Sequence, residues 1–473
     1  RIYRIGDLLA FHFDQGRDAL VIWDLIKNKE LFLIGPTTGL AGIFRGPYYY
    51  YLITPFYFLG NGNPLFPSVF LSLTTMLAAL LGFYLGFKIQ NRATGIIFAI
   101  LSSFGFYIIT ASRWLSNPTP MLLLSMCLVW AMFKVMEGKK WGWPTIALVS
   151  GLSLFNFGSS GELYYFVSIA IFAIWQWKNR PNLKNLLLSI VAFSLTFAPL
   201  VLFDLKHDHI LLNNITQTFG KEKSFTLPTE FLFEIRNQFY ANLFPRLIFH
   251  SFKLRENLSL IVIAASFVLF LPKFLKSDKV KLIMLLLVSP LIGLYFYQGN
   301  STVLYDYYMT GYFLIFLLLV AVVLGKIWSY KLGKVFVLLF LSLFLVNNFD
   351  PTKFILKNKS DGEESIAFIN QQAVIAWIYK DAAEKPFNVD VYVPPVIPHS
   401  YDYLFTWLGS TKYGRLPDTN RVELLYTLYE VDPPHPERLQ AWLDRQKGIG
   451  KVEETYKNGG IVVQKRTRIL YVE

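Results

Sequence analysis

At 473 residues the chain is 54% hydrophobic and 17% aromatic but only 16% charged, against about 25% charged in an ordinary soluble domain. Its mean hydropathy is positive, and a water-soluble fold cannot hide so much apolar surface, because its own exterior must face solvent. The single cysteine, Cys127, rules out an intrachain disulfide and a cysteine-based metal site. No basic-aromatic surface motif accompanies the net charge of +13, so the composition excludes a nucleic-acid partner.

The polar start at Arg1 reads as the continuation of a signal-anchor or first transmembrane helix that precedes it. Residues 1–63 then form a first extracytoplasmic loop. It opens with Phe11-His12-Phe13-Asp14-Gln15-Gly16-Arg17-Asp18 and an amphipathic run to about Leu31. In a helix, Asp14 and Asp18 are four residues apart and share a face. Two carboxylates beside Arg17 suit one base and one orienting or metal-binding group. The same spacing fits a plainer pair, with Asp14 capping the helix and Asp18 a solvated acid in its first turn. The glycine- and proline-rich stretch 34–47 follows, with the backbone freedom to fold over a ligand headgroup or simply to lead into the next helix. Residues 47–59 are apolar but short and broken by proline, which suits an interfacial helix.

A spanning helix needs roughly 20 mostly apolar residues. About ten stretches qualify: 64–87, 93–110, 119–136, 143–157, 162–177, 185–203, 257–272, 282–297, 304–324 and 335–349. The predicted fold is therefore a polytopic α-helical membrane protein of about ten or eleven spans, its body covering 64–349 and its long outer loop 204–256. Lysines and arginines cluster in alternate short loops, for example Lys134, Lys139 and Lys140, then Lys178, Arg180 and Lys184; the intervening short loops carry only Arg113. The basic side is cytoplasmic by the positive-inside rule. Charges are almost absent from the span centres, where ion-coupled transporters need them. They stand instead at outer helix ends, as Glu162, Asp204, Glu256 and Asp306.

Residues 350–473 carry the polar mixture of a small soluble α/β domain, also extracytoplasmic. Its predicted elements are a helix over 363–382, a strand over 387–393, a short helix over 402–412, a strand over 421–430, a helix over 436–446 and a closing strand over 460–466. The aromatic run 401–407 is expected in that domain's own core, with packing on the membrane body or contact with an acceptor as alternatives. The six histidines show no metal-ligand spacing.

An acidic motif before an amphipathic helix, then a Gly-Pro loop, clustered aromatics and many spans, resembles the GT-C superfamily of integral-membrane glycosyltransferases. That group includes the protein O-mannosyltransferases and the aminoarabinose transferases of lipid A. Asp14-Gln15 stands where that family carries an acidic pair, and Ala111-Ser112-Arg113-Trp114-Leu115-Ser116-Asn117-Pro118 stands where it carries an arginine and an acid. Asn117 replaces the acid, which puts a family-style metal site in doubt. The resemblance covers roughly residues 1–320 and leaves the C-terminal domain unaccounted for. It implies transfer of a sugar from a polyprenyl-phosphate donor to an envelope glycan, lipid or protein in a bacterial-type plasma membrane, with inversion at the anomeric carbon. Asp14 would be the general base, with Gln15, Asp18, Glu162 and Asp306 as supporting acidic or orienting groups. Arg113, with Arg45, Lys206 and His207 in reserve, would bind the lipid phosphate. A divalent ion, Mg or Mn, remains open as a cofactor. The alternatives are an oligosaccharide ligase or polymerase, and a non-enzymatic transporter of lipid-linked glycans.

Overall fold

The computed structural model describes residues 1–40, 42–221, 229–297, 302–357, 362–394 and 397–468. All ten apolar stretches are helical. The first segment supplies α1 (Phe13–Asn28) and α2 (Tyr48–Leu59). The body follows with α3 (Leu65–Ile89), α4 (Arg92–Phe104), α5 (Phe106–Arg113), α6 (Met121–Met136), α7 (Gly142–Leu152), α8 (Tyr165–Trp175) and α9 (Leu183–Lys206). Next come α10 (Ile210–Lys221), α11 (Glu230–Arg246), α12 (Leu254–Phe274), α13 (Asp278–Gly293), α14 (Thr310–Ile327) and α15 (Lys331–Lys357). The stretch expected as a long outer loop, 204–256, therefore holds two helices, and the last apolar helix runs on past Phe349 to Lys357.

Among the described residues, five helices are long and apolar enough to cross a membrane, and a sixth span arises if α4 and α5, bent by 60°, count as one. Two further apolar helices, Met121–Met136 and Glu162–Trp175, are shorter. The bend falls at Gly105, and it frees a backbone donor that water cannot satisfy inside hydrocarbon. Asn348 of α15 meets that need: its Oδ1 accepts from the Phe106 N–H at 2.8 Å, while its Nδ2 donates to the carbonyls of Ile248 and Phe344. Helices α3, α4, α6 and α14 form the centre, and α7 joins that group to α9. The spanning window of α14 is 89% buried and that of α9 only 6%, so α14 is the central post and α9 faces lipid along most of its surface. The chain is thus an integral membrane protein.

The C-terminal domain contains α16 (Phe368–Ala382), β1 (Phe387–Tyr392), α17 (His399–Leu408), β2 (Leu424–Glu430), α18 (Pro436–Lys447), β3 (Gly450–Asn458) and β4 (Ile461–Arg468). The four strands lie in the order β1-β2-β4-β3, with β1 and β2 parallel and the other pairs antiparallel. β3 has no counterpart among the sequence predictions. It is an edge strand rich in charged residues, and its Lys451–Lys457 stretch lacks the apolar alternation by which a strand is recognised.

The aromatic run on α17 is buried, as expected, but not in the domain's own core alone: it also holds the domain onto the first segment. Tyr403 packs against Phe11, Trp23 and Tyr57 at ring separations of 5.8, 6.3 and 6.3 Å. The Trp407 indole donates to the Asn61 carbonyl at 2.7 Å, and Gln371 Nε2 donates to the Phe11 carbonyl at 2.9 Å. α17 crosses α1 at Gly16, so closely that a Cβ there would lie 2.3 Å from the Ser400 nitrogen. Backbone cannot yield as a side chain does, and overpacking of this kind costs roughly 1–3 kcal/mol or more. Gly16→Val is therefore expected to lower the melting temperature and to expose the connection between α15 and α16 to protease. Unchanged melting and digestion would show that this contact does not hold the domain.

Candidate active site

Helix α1 starts at a cap formed by neither aspartate: the His12 N–H is met by the Gln15 side chain at 3.1 Å. Gln15 is buried, and its amide also donates to the Leu115 carbonyl at 3.1 Å, which fixes α1 to the turn after α5. Asp14, Arg17 and Asp18 thereby line one cavity, Asp14 at its open side and Asp18 buried. Arg17 lies between the two acids, 2.9 Å from Asp14 Oδ1 and 2.7 Å from Asp18 Oδ1. Asp18 Oδ1 also accepts from the Tyr50 hydroxyl at 2.9 Å. The two carboxylates differ in environment: the Asp14 side chain is 57% exposed and that of Asp18 only 8%. Burial pushes Asp18 up to about 6, with Arg17 and the Tyr50 hydroxyl pulling the other way.

The glycine-rich stretch 34–47 is an ordered hairpin. Gly35 N–H donates to the Arg45 carbonyl at 2.7 Å, Arg45 N–H donates to that of Pro36 at 3.0 Å, and Thr37 pairs with Phe44. Ala41 within it lies outside the described residues. Its base is fastened where α7 widens into a π turn at Ser153–Phe157, since Gly46 N–H donates to the Phe155 carbonyl at 2.7 Å. A Cβ on Gly46 would stand 2.2 Å from Asn156 Oδ1, so the close approach requires glycine. Arg17 reaches across to Thr37 Oγ1 at 2.7 Å and ties the hairpin to α1. The half-buried Arg45 guanidinium donates to the Gly158 carbonyl and, at 3.4 Å, to Ser159 Oγ. Burial lowers the pKa of Arg45, against the pull of nearby Glu162. Glu162 itself is buried and accepts from the backbone N–H groups of Ser159 and Gly311, both at 2.7 Å.

These groups surround a cavity of about 330 Å³ whose walls include Asp14, Arg17, Asp18, Arg45, Ser160 and Tyr307. Ser160 Oγ is buried without a hydrogen-bond partner among the described residues. Trp114 and Tyr307, with rings 5.6 Å apart, stand between this cavity and a larger, mainly apolar groove of about 850 Å³. The groove is lined by Phe106, Tyr107, Ala111, Leu304 and Phe313 and carries one ion pair, Arg246 to Asp306 at 2.5 Å.

Of the residues singled out from sequence, Asp14, Asp18 and Arg45 meet in the small cavity, and Asp306 lies in the adjoining groove. Gln15 and Glu162 sit behind the walls as supports. Arg113 lines neither space: it donates to the carbonyls of Arg1, Tyr3 and Arg4 at 2.9–3.1 Å and so pins the start of the chain. Lys206 and His207 are exposed at the end of α9, with the His207 ring stacked on Phe203, and they line neither space. Arg246, Trp114 and Tyr307 were not among the predicted site residues. Arg246 lies inside a segment read as loop, where an arginine carries no signal, and an aromatic ring at an interface reads as an anchor. Among the described residues no three histidine, cysteine, aspartate or glutamate side chains converge in a metal-binding set. Asp14 and Asp18 both face the Arg17 guanidinium, which stands where a divalent ion bridging them would sit.

No protein-family model matches the chain, and no curated protein matches it. Solved structures do. The crystal structure of ArnT from Cupriavidus metallidurans bound to undecaprenyl phosphate aligns over 98% of this chain and 95% of that one, with a TM-score of 0.59 at 8% identity. The apo form of the same protein aligns over the same shares with a TM-score of 0.59 at 9% identity. The Archaeoglobus fulgidus oligosaccharyltransferase, in complex with Zn and sulfate, gives a TM-score of 0.43 at 12% identity over 99% of this chain and 69% of that one. The chain therefore shares the fold of the ArnT structures. The ArnT likeness is one of architecture, and it extends through the C-terminal domain that the sequence resemblance left out.

A carboxyl group held at about 6 when folded, against an ordinary value near 3.8, binds its proton longer folded than unfolded. Its contribution to stability therefore falls as pH rises between those values and is level above them. Relative to Asp18→Asn, which mimics the protonated acid, the wild type is expected to match in stability near pH 4. It should lose on the order of 3 kcal/mol by about pH 6.5. Thermal melts of both proteins across that range test this, and parallel curves would refute it.

Proposed function

We propose that the protein is a glycosyltransferase that moves a sugar from a polyprenyl-phosphate donor to the hydroxyl of an envelope glycan, lipid or protein at the extracytoplasmic surface. One observation carries the reading: an accessible carboxylate, in a small cavity whose wall carries charged groups, opens beside a larger apolar groove, with a cation on each side of the partition. Neither space alone argues for this chemistry. Together they match a substrate with a polar head and a long apolar tail. The ArnT structure that shares this fold was solved with undecaprenyl phosphate, a lipid of the proposed kind. The bias of lysine and arginine toward the other set of short loops supports an outward-facing site.

In this reading the prenyl tail lies in the groove and the sugar in the small cavity, with the bridging phosphate near Trp114 and Tyr307. The acceptor oxygen attacks the anomeric carbon, and Asp14 takes the hydroxyl proton as the new C–O bond forms. The bond from that carbon to the phosphate oxygen breaks, and its electron pair leaves with the polyprenyl phosphate. The departing group gains negative charge, which Arg45 and Arg246 are positioned to offset from two sides. One displacement on one face inverts the anomeric configuration. Asp18 acts through Arg17: it holds the guanidinium at one face of Asp14 and so leaves the other Asp14 oxygen toward the cavity. No step calls for a metal ion.

The test is transfer by the purified full chain with a panel of polyprenyl-phosphate sugars. Asp14→Asn keeps the shape of the side chain and removes the base, so transfer should fall about 10²–10⁴-fold with the melting temperature nearly unchanged. Turnover by that variant at the parent rate would remove Asp14 from the mechanism.

A further inference from the structure

Asp306 is the one feature of the groove that works against the role assigned to it. The carboxylate stands at the start of the α14 segment, accepts from the Tyr107 hydroxyl at 2.8 Å, and lies 2.5 Å from the Arg246 guanidinium. Arg246 in turn lies over the Tyr107 ring, 5.8 Å from its centroid. Both partners of the ion pair are partly open to the groove, at 43% and 36% side-chain exposure. An ion pair that open adds little to folding stability, so stability does not account for it. An anion entering the groove meets a cation that already has a carboxylate beside it.

We propose that Asp306 is a release residue: it competes with the lipid phosphate for Arg246 and so weakens retention of the spent carrier. The proposal rests on the lipid-phosphate reading above and adds a direction to it. A sugar-linked polyprenyl phosphate is a diester with about one negative charge. The polyprenyl phosphate left after transfer is a monoester, which carries about −1.5 to −2 at neutral pH. A fixed carboxylate near the phosphate repels the second more than the first, and on product departure it takes Arg246 back. Asp306 is thus a positioning residue that acts through Arg246, tilting the groove toward donor over product. Tyr107, held to the same carboxylate oxygen, keeps Asp306 at the pair when Arg246 turns to the phosphate.

The experiment is equilibrium binding of undecaprenyl phosphate to the full chain in nanodiscs, with uncharged polyprenol as the control for the tail. Asp306→Asn removes one charge a few ångströms from the phosphate and should tighten phosphate binding about tenfold, with polyprenol binding unchanged. Arg246→Gln should abolish the preference for phosphate over polyprenol, and adding Asp306→Asn to it should restore nothing. Asp306→Ser, a residue tolerated near helix starts, is the second variant should the asparagine fail to fold. With an active donor, the asparagine variant should show product inhibition tightened more than the donor KM, with kcat reduced. A merely structural Asp306 would lower binding of both lipids together. Unchanged or weaker phosphate binding in both Asp306 variants, or a gain that persists without Arg246, overturns the proposal. Tightened phosphate binding in a chain that transfers no sugar would refute glycosyl transfer and with it the release role, and would leave standing only the competition of Asp306 with a lipid phosphate for Arg246.

Discussion

A charged side chain at the centre of a bilayer costs about 2.5–3.5 kcal/mol even by the mildest scale, and that cost arranges this molecule. The central post α14 is built of apolar residues from Phe313 to Leu324, and its ionisable groups stand at its two ends, Asp306 and Lys326. Asp14, Arg17, Asp18, Arg45, Glu162 and Arg246 gather near the Asp306 end, where helix termini and the first segment supply polar partners. Each carboxylate there has a donor within 3 Å: Arg17 for Asp14 and Asp18, two backbone N–H groups for Glu162, and Arg246 for Asp306. The charged groups gather at one end of the bundle because hydrocarbon excludes them elsewhere.

Within that end, the arrangement is held largely by hydrogen bonds to backbone groups. The hairpin 34–47 is closed by its own N–H groups and fastened to the π turn after α7, and Arg236, wholly buried, donates to the carbonyls of Leu294, Tyr297 and Thr302. A loop facing lipid could not leave such groups unsatisfied. Here they are engaged in holding the cavity walls, while the Asp14 side chain stays more than half exposed. The C-terminal domain adds a third restraint, since α17 presses on α1 at Gly16, one residue from Arg17. Its contact with α1 ties a peripheral domain to the geometry of the cavity, and the ArnT likeness runs through that domain as well.

Apolar run length and loop charge made the membrane body legible from sequence alone. All ten stretches are helices, because a run that must satisfy every backbone group in lipid has little alternative to helix. The shared face of Asp14 and Asp18 was also readable, since four-residue spacing places two side chains together in any α-helix. Which of the two is open to solvent was not. That depends on Tyr50, which is far along the chain from Asp18 and buries it only once α2 lies against α1. The surroundings of Arg113 were illegible for a related reason: the arginine fits the motif, though Asn117 does not, and only the folded chain brings its guanidinium to three carbonyls at the start of the sequence.

Local pattern, then, determined the lipid-spanning helices, the position of the polar end segments and the acidic pair on α1, because each of these follows from the period of a helix or the cost of a charge in hydrocarbon. Tertiary structure alone decided which arginines face the site, how Trp114 and Tyr307 divide the cavity from the groove, and that α17 braces α1. Those are meetings between residues tens to hundreds of positions apart, and no local spacing encodes them.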